Sequence, residues 1–167
     1  MSDALRFEPL RAVDLLEIEV REGQRLQYGM PVAEMTIAEA QSLADGAAWT
    51  AWDGQRLVAC LGISETFEGA QGVAWALLGE GIGARHLQLT RFARDEVVGK
   101  SPLRRIEAIV RCNDADPRFT ATRRILEAVR RPTPELRWTL ALGFEPACLL
   151  RRFGAADEPH MLMERVN

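Results

Sequence analysis

Residues 72–98, reading GVAWALLG, then EGIGARH, then LQLTRFARDEVV, restrict this chain more than any other stretch. A short apolar run with Val73 and Trp75 reads as a buried strand, glycines recur at Gly79, Gly81 and Gly83, and Ala84, Leu87, Thr90 or Arg91, Ala93 or Arg94, and Val97 then follow helical spacing. Strand, glycine turn and helix together can hold an anion. The first helical turn has N–H groups without intrahelical partners and carries the positive end of the helix dipole, and glycines let the backbone close on a ligand without a Cβ in the way. GEGIGA lacks the closing Gly-Lys-Ser/Thr of a nucleotide P-loop, and no early βαβ unit makes it a dinucleotide fingerprint. An ordinary connection between strand and helix fits the same residues, so the order of the surrounding elements decides.

That order begins with a short strand over Leu5–Pro9 and an amphipathic helix over Ala12–Gln27, broken by Tyr28-Gly29-Met30-Pro31. Thr36 with Glu39 is a capping box opening a helix to Ala44. Ala48–Trp52 and Leu57–Ser64 flank the turn dipeptide Asp53-Gly54 and predict a hairpin, and the loop Glu65–Gln71 leads into the central strand Gly72–Leu78. Past the glycine turn and its helix, Gly99–Pro102 is a stop and Arg105–Arg111 the next strand, a crossover that predicts a parallel pair. Residues 113–134 read as a basic insertion, a polar loop around Asp114, Asp116 and Pro117 and then a short helix over Thr120–Arg131, with Arg118, Arg123, Arg124, Arg130 and Arg131 as its basic residues. Thr133-Pro134-Glu135 opens a helix to Leu142, closed by Gly143, and Phe144–Phe153 with His160–Val166 form a terminal antiparallel hairpin.

A chain of 167 residues, 47% hydrophobic, fits one globular domain over 1–167, and its net charge of −3 argues against a general polyanion binder. Nucleic acid is therefore not the expected partner. Cys60, Cys112 and Cys148 lie far apart in apolar runs without metal-binding spacing, so they read as reduced core cysteines and no metal is expected. The opening MSDALRFEPL has no basic-then-apolar leader and no run long enough to cross a membrane, so a cytoplasmic protein is expected.

The element order, the glycine turn after the fourth strand and the step Leu142-Gly143-Phe144 into a C-terminal hairpin resemble the GCN5-related N-acetyltransferase (GNAT) family across nearly the whole chain. The resemblance implies an α/β (α+β) fold with a mixed, mostly antiparallel sheet of about seven strands, one parallel pair between the fourth and fifth, and helices on both faces. It implies acetyl-CoA, or another acyl-CoA, as donor and a small-molecule or protein amine as acceptor. The family's Arg/Gln-x-x-Gly-x-Gly/Ala pattern maps to Leu78-Gly79-Glu80-Gly81-Ile82-Gly83, where both glycines match and the leading polar residue does not. The tyrosine that many members use as proton donor falls at Thr139. RRIEAIV, RWTLALGF, LRRFG and HMLMERV also resemble the small acetyltransferase-like proteins of tailed bacteriophages and prophages, which implies an alternative: a catalytically degenerate, virion-associated interaction protein.

Acetyl transfer to an amine needs a held thioester, a path for the amine proton and donors for the developing oxyanion. The resemblance assigns the holding to backbone groups of Leu77, Gly81, Ile82, Gly83, Ala84 and Arg85, with the Arg85 side chain adding charge for the phosphates. The acidic candidates for the base are Glu65 and Glu68, near the entry to the fourth strand, although loop carboxylates are more often only solvated. Glu80 should point outward, and His86 reads as a surface histidine. Arg105, Glu107 and Arg111 alternate along one face of a central strand, where pairing is the simpler expectation than catalysis. The insertion from Arg118 to Arg131 is a solvated face or a place for a protein partner to dock.

Overall fold

A computed structural model describes residues 4–21, 35–114, 116–153 and 157–167. Its elements are β1 (Arg6–Pro9), α1 (Ala12–Glu17), α2 (Ile37–Ala44), β2 (Ala47–Asp53), β3 (Arg56–Phe67), β4 (Gln71–Leu78), a 3₁₀ turn (Glu80–Arg85), α3 (His86–Phe92) continuing as a π turn (Ala93–Val98), β5 (Arg105–Arg111), α4 (Ala121–Arg130), α5 (Pro134–Ala141), β6 (Glu145–Leu150) and β7 (His160–Val166). The strands form one seven-stranded sheet in the order β1-β2-β3-β4-β5-β7-β6. Only β4 and β5 run parallel; every other neighbouring pair is antiparallel.

Strand alternation divides the interior in two. On one face Ala59, Leu61 and Ile63 of β3 and Ile106 and Ala108 of β5 pack with Leu89 of α3 and Leu136 of α5 in the larger core. On the other, Cys60 and Leu77 pack with Leu15 of α1 and Ala40 of α2. The helices therefore cover both faces. Thr36 and Glu39 form the expected capping box, and Gly143 takes φ +89° where the chain leaves α5.

α1 is shorter than its periodicity predicts. The helix stops at Glu17, because Ile18 adopts φ −65°, ψ 123° and turns its side chain into the second core. Val20 then forms an antiparallel bridge to Gly79. The remainder of the predicted helix, from residue 22 on, lies outside the described residues, as does the expected break at Tyr28–Pro31. Asp14 anchors α1 from below, accepting 2.7 Å from the Thr50 hydroxyl and 2.6 Å from Arg11.

Two expectations about polar residues change. Glu65 belongs to β3 and not to a loop, since the β3–β4 ladder reaches Phe67↔Gln71. Cys148 is exposed on the edge strand β6, whereas Cys60 and Cys112 are buried; burial pushes the Cys60 thiol up to about 12. Arg105 pairs with Glu107 and Glu164, and Arg111 with Glu135, so the charges along β5 are compensated. The insertion is also largely self-compensated: Arg124 is buried on Asp114, Arg118 pairs with Asp116, Arg130 pairs with Glu127, and Arg123 stacks 3.8 Å over Phe119. No described helix is long and apolar enough to cross a membrane.

Candidate functional site

β4 and β5 pair only through Gln71↔Arg105, Gly72↔Ile106 and Val73↔Glu107. Beyond that, β4 follows β3 as far as Ala59↔Leu78 and β5 follows β7 as far as Arg111↔His160, so the sheet parts between them. Strand twist accumulates on each side of the gap, and among the described residues no further ladder pairs join β4 to β5. Into it opens a cleft of about 510 Å³. Ala74 and Ala76 of β4 and Ala108 of β5 line it, and side chains this short leave the gap unfilled. One bank carries Leu78 and His86, the residues flanking the glycine turn; the other carries Glu135, Trp138 and Thr139 of α5. Arg21 lines it as well.

The glycine turn is wound tighter than the sequence suggests. Glu80–Arg85 is a 3₁₀ turn kinked at Gly83, whose φ of 28° and ψ of −119° require glycine, and the α-helix starts only at His86. Several of its amides are engaged within the protein: Glu80 N–H donates to Glu19 O at 3.2 Å, Ile82 N–H to Gly79 O at 3.3 Å, and His86 N–H to Gly83 O. Ile82 is a core residue with no exposed surface. Gly83 and Ala84 remain at the surface, and a Cβ added at Gly83 would meet nothing within 4 Å.

Two of the expected donor-holding groups point elsewhere. Gly79 N–H donates to Val58 O of β3, and residues two apart in an antiparallel ladder address the same neighbour, so Leu77 N–H also faces β3 and not the cleft. The opposite edge of β4 is met by the protein's own chain, where Arg21 N–H donates 3.0 Å to Leu78 O. The Arg85 guanidinium is spent on Asp53, with Nε at 3.2 Å and Nη2 at 3.0 Å from its carboxylate. The cation standing over the turn is Arg56: a Cβ at Gly81 would come within 2.7 Å of its Nε, so the missing side chain makes room for this guanidinium. Sequence reading missed Arg56 because the contact joins the β2–β3 hairpin to a turn more than twenty residues on.

Glu65 and Glu68 do not line the cleft. Glu65 pairs with Gly72, at the end where β4 and β5 are still joined, and its carboxylate accepts the Gly69 N–H at 2.7 Å. Among the described residues, the carboxylate lining the cleft is that of Glu135. Thr133 caps α5, accepting from Leu136 N–H, and donates its hydroxyl 2.6 Å to Arg111 O, which fixes the first turn of the helix against the end of β5. The Glu135 side chain is 18% exposed, its Oε1 lies 3.5 Å from Arg111 Nη2, and its buried Oε2 accepts no hydrogen bond. The signal for it was the first-turn acidic residue after Thr-Pro, which reads equally as a plain helix opener.

Across the cleft, Trp138 ties α5 to α3. Its indole N–H donates 2.9 Å to Thr90 Oγ1, and its ring meets His86 edge-on at 5.3 Å. Burial, followed by the nearby Arg21 charge, holds the His86 pKa below its ordinary 6.5, which favours the neutral imidazole. Thr139 stands in the cleft with its hydroxyl committed to Glu135 O at 2.9 Å, so it supplies no proton. Among the described residues, no group of three His, Cys, Asp or Glu side chains is placed to hold a metal ion.

This architecture is the GNAT fold. The chain superposes on Ard1 from Thermoplasma volcanium with a TM-score of 0.66 at 12% identity, covering 98% of each chain. It matches the aminoglycoside 6'-N-acetyltransferase from Enterococcus faecium at 0.63 and 16% identity, over 96% of both. With spermidine N-acetyltransferase from Vibrio cholerae, solved in complex with CoA and spermine, the score is 0.62 at 14% identity, over 97% of this chain and 95% of that one. No family model matches the sequence, and no curated protein is similar to it.

Proposed function

We propose that the protein is an acyl-CoA-dependent N-acyltransferase, with acetyl-CoA as donor and a small-molecule or protein amine as acceptor. The observation that carries this reading is the opening between β4 and β5, which gives about 510 Å³ of space lined by alanines and reaching both faces of the sheet. A narrow, extended acyl-bearing arm fits such a slot, and the solved neighbour holding CoA shows that this architecture accepts that ligand in another protein. Around the turn, the surface backbone at Gly83, Ala84 and Arg85, with Gly81 and the Arg56 guanidinium, is the group best placed to receive phosphates. When bound, acetyl-CoA supplies an activated thioester. The chain's own contribution is to seat it in a groove of low dielectric, where few waters compete with the acceptor.

A second reading, a fold kept without the transfer, draws on two observations. The segment Glu19–Arg21 already lies along the edge of β4 opposite β3 and takes the Glu80 amide, and Thr139 provides no acid where many GNAT proteins have a tyrosine. Thermal unfolding with acetyl-CoA separates the two. A hundredfold excess over Kd stabilises by about 2.7 kcal/mol, a rise of about 5–10 °C for a chain of this size. Gly83→Val, which fills the open space beside the turn, should remove that rise; a full rise in the variant would move the donor site elsewhere. No rise in the native chain at millimolar acetyl-CoA would favour the second reading.

A further inference from the structure

Acyl transfer from a thioester to an amine moves a proton from the attacking nitrogen to the departing sulfur, so a cleft group able to take a proton and return it marks the place of the chemistry. Among the described residues, the charged or titratable side chains lining the cleft are Arg21, His86 on α3, Arg111 on β5 and Glu135 on α5. The arginines keep their protons at any working pH. Glu135 is closed off, with Oε1 3.5 Å from Arg111 Nη2 and Oε2 buried, and the Thr139 hydroxyl is committed to Glu135 O. His86 remains. Its hydrogen bonds fix which of its nitrogens is bare. Thr90 Oγ1 donates 2.7 Å to His86 O and accepts the Trp138 indole N–H at 2.9 Å, so its one proton is spent and a lone pair is left over. His86 Nδ1 lies 3.3 Å from that oxygen and meets the lone pair only as N–H. In the neutral ring the proton therefore sits on Nδ1, and Nε2 carries the free electron pair. Nε2 makes no hydrogen bond among the described residues and, unlike Glu135 Oε2, it is not sealed from the cavity that the residue lines. Burial and the Arg21 charge keep the ring neutral, and Trp138 braces it edge-on at 5.3 Å from the facing helix.

We infer that His86 Nε2 carries the proton of the reaction, taking it from the acceptor nitrogen and delivering it to the sulfur of CoA. This rests on the N-acyltransferase reading above. In the step, the amine nitrogen bonds to the thioester carbon and loses a proton to Nε2. The C–S bond then breaks with its electron pair going to sulfur, and the same proton passes from Nε2 to that sulfur, so CoA leaves as the thiol and the ring is neutral again. Thr90 is the positioning residue, since its oxygen holds Nδ1–H and so keeps the electron pair on Nε2.

Two readouts test this. Diethyl pyrocarbonate, which acylates an accessible unprotonated imidazole, should label His86 and spare His160, which is 2% exposed, and bound acetyl-CoA should block the label. No label at His86, or a label undiminished by bound acetyl-CoA, would overturn the inference. The second readout is CoA release from acetyl-CoA with L-alaninamide as the acceptor. Native kcat should fall as the pH drops below 6.5 and the ring takes up a proton. His86→Gln should lower kcat by about 100-fold or more and lose that pH dependence, as removal of a general base does, while its melting rise with acetyl-CoA stays native. Thr90→Val, which keeps the ring but removes the partner of Nδ1, should lower kcat by about 10-fold, and Thr90→Ser should restore it. His86→Gln turning over like the native chain would overturn the inference, as would a native chain that binds acetyl-CoA and releases no CoA to alaninamide; absence of the melting rise in the native chain would instead remove the N-acyltransferase reading itself.

Discussion

The two banks of the cleft begin with similar sequence signals and end differently. Both are helix openings beside a strand end: the glycine turn leading to α3, and Thr133-Pro134-Glu135 leading to α5. In the glycine turn the polar groups are largely spoken for, with Glu80 N–H on Glu19, Ile82 N–H on Gly79 and Arg85 on Asp53. At α5 the cap is satisfied by Thr133, and what remains over is a side-chain oxygen, Oε2 of Glu135. A glycine-rich turn advertises backbone donors, yet the fold can consume them; a capped helix advertises nothing, yet it can leave one buried carboxylate oxygen without a hydrogen bond.

The largest expected effect tests whether the glycine turn is part of the core or only lies on it. Ile82→Ala should cost about 2–5 kcal/mol, read as a lowered urea midpoint, because the side chain is fully buried among core residues. A loss under about 1 kcal/mol would mean that the turn is only loosely attached. Next is the tie between the banks. Trp138→Phe removes the indole N–H on Thr90 and should cost about 1 kcal/mol while keeping most of the ring's packing. The same variant sharpens the comparison if acetyl-CoA then binds more tightly, since the tie spans the cleft.

The smallest effect concerns His86. Its folded pKa lies below 6.5 because burial, and then Arg21, disfavour the imidazolium. The unfolded chain therefore takes up the proton first, and the folded state loses stability as pH falls from neutral through 6.5 and on through the lowered value. His86→Gln should lower the melting temperature less than the native chain does between pH 7 and pH 5, at about those two values of a buffer series. Equal losses in both proteins would show that His86 exerts no such coupling.

Much of the scaffold was legible because its causes are local. Thr36 and Glu39 cap a helix three residues apart, Asp53-Gly54 closes a hairpin with Gly54 at φ +61°, and the crossover from β4 through α3 dictates a parallel partner. What was not legible depends on distant partners. The end of α1 at Glu17 follows from the burial of Ile18 and the bridge of Val20 to Gly79, which helical periodicity in 12–27 cannot anticipate. Leu77 faces β3 because of ladder register, and Arg85 is claimed by Asp53 from thirty-two residues away. Glu65 was read as a loop acid because nothing local shows β3 running on to Phe67.

By itself the sequence determined the order of strands and helices, several of their caps and turns and, through that order, the α/β plan of a single mixed sheet. Those features depend on side-chain periodicity and on backbone preferences spanning a few residues. Tertiary structure alone decided that β7 lies between β5 and β6, where β4 and β5 part, which turn amides are engaged within the protein, and that Glu135 lines the gap. Register, twist and ion pairing are settled between residues far apart in the chain, by whichever contacts the packed sheet brings together.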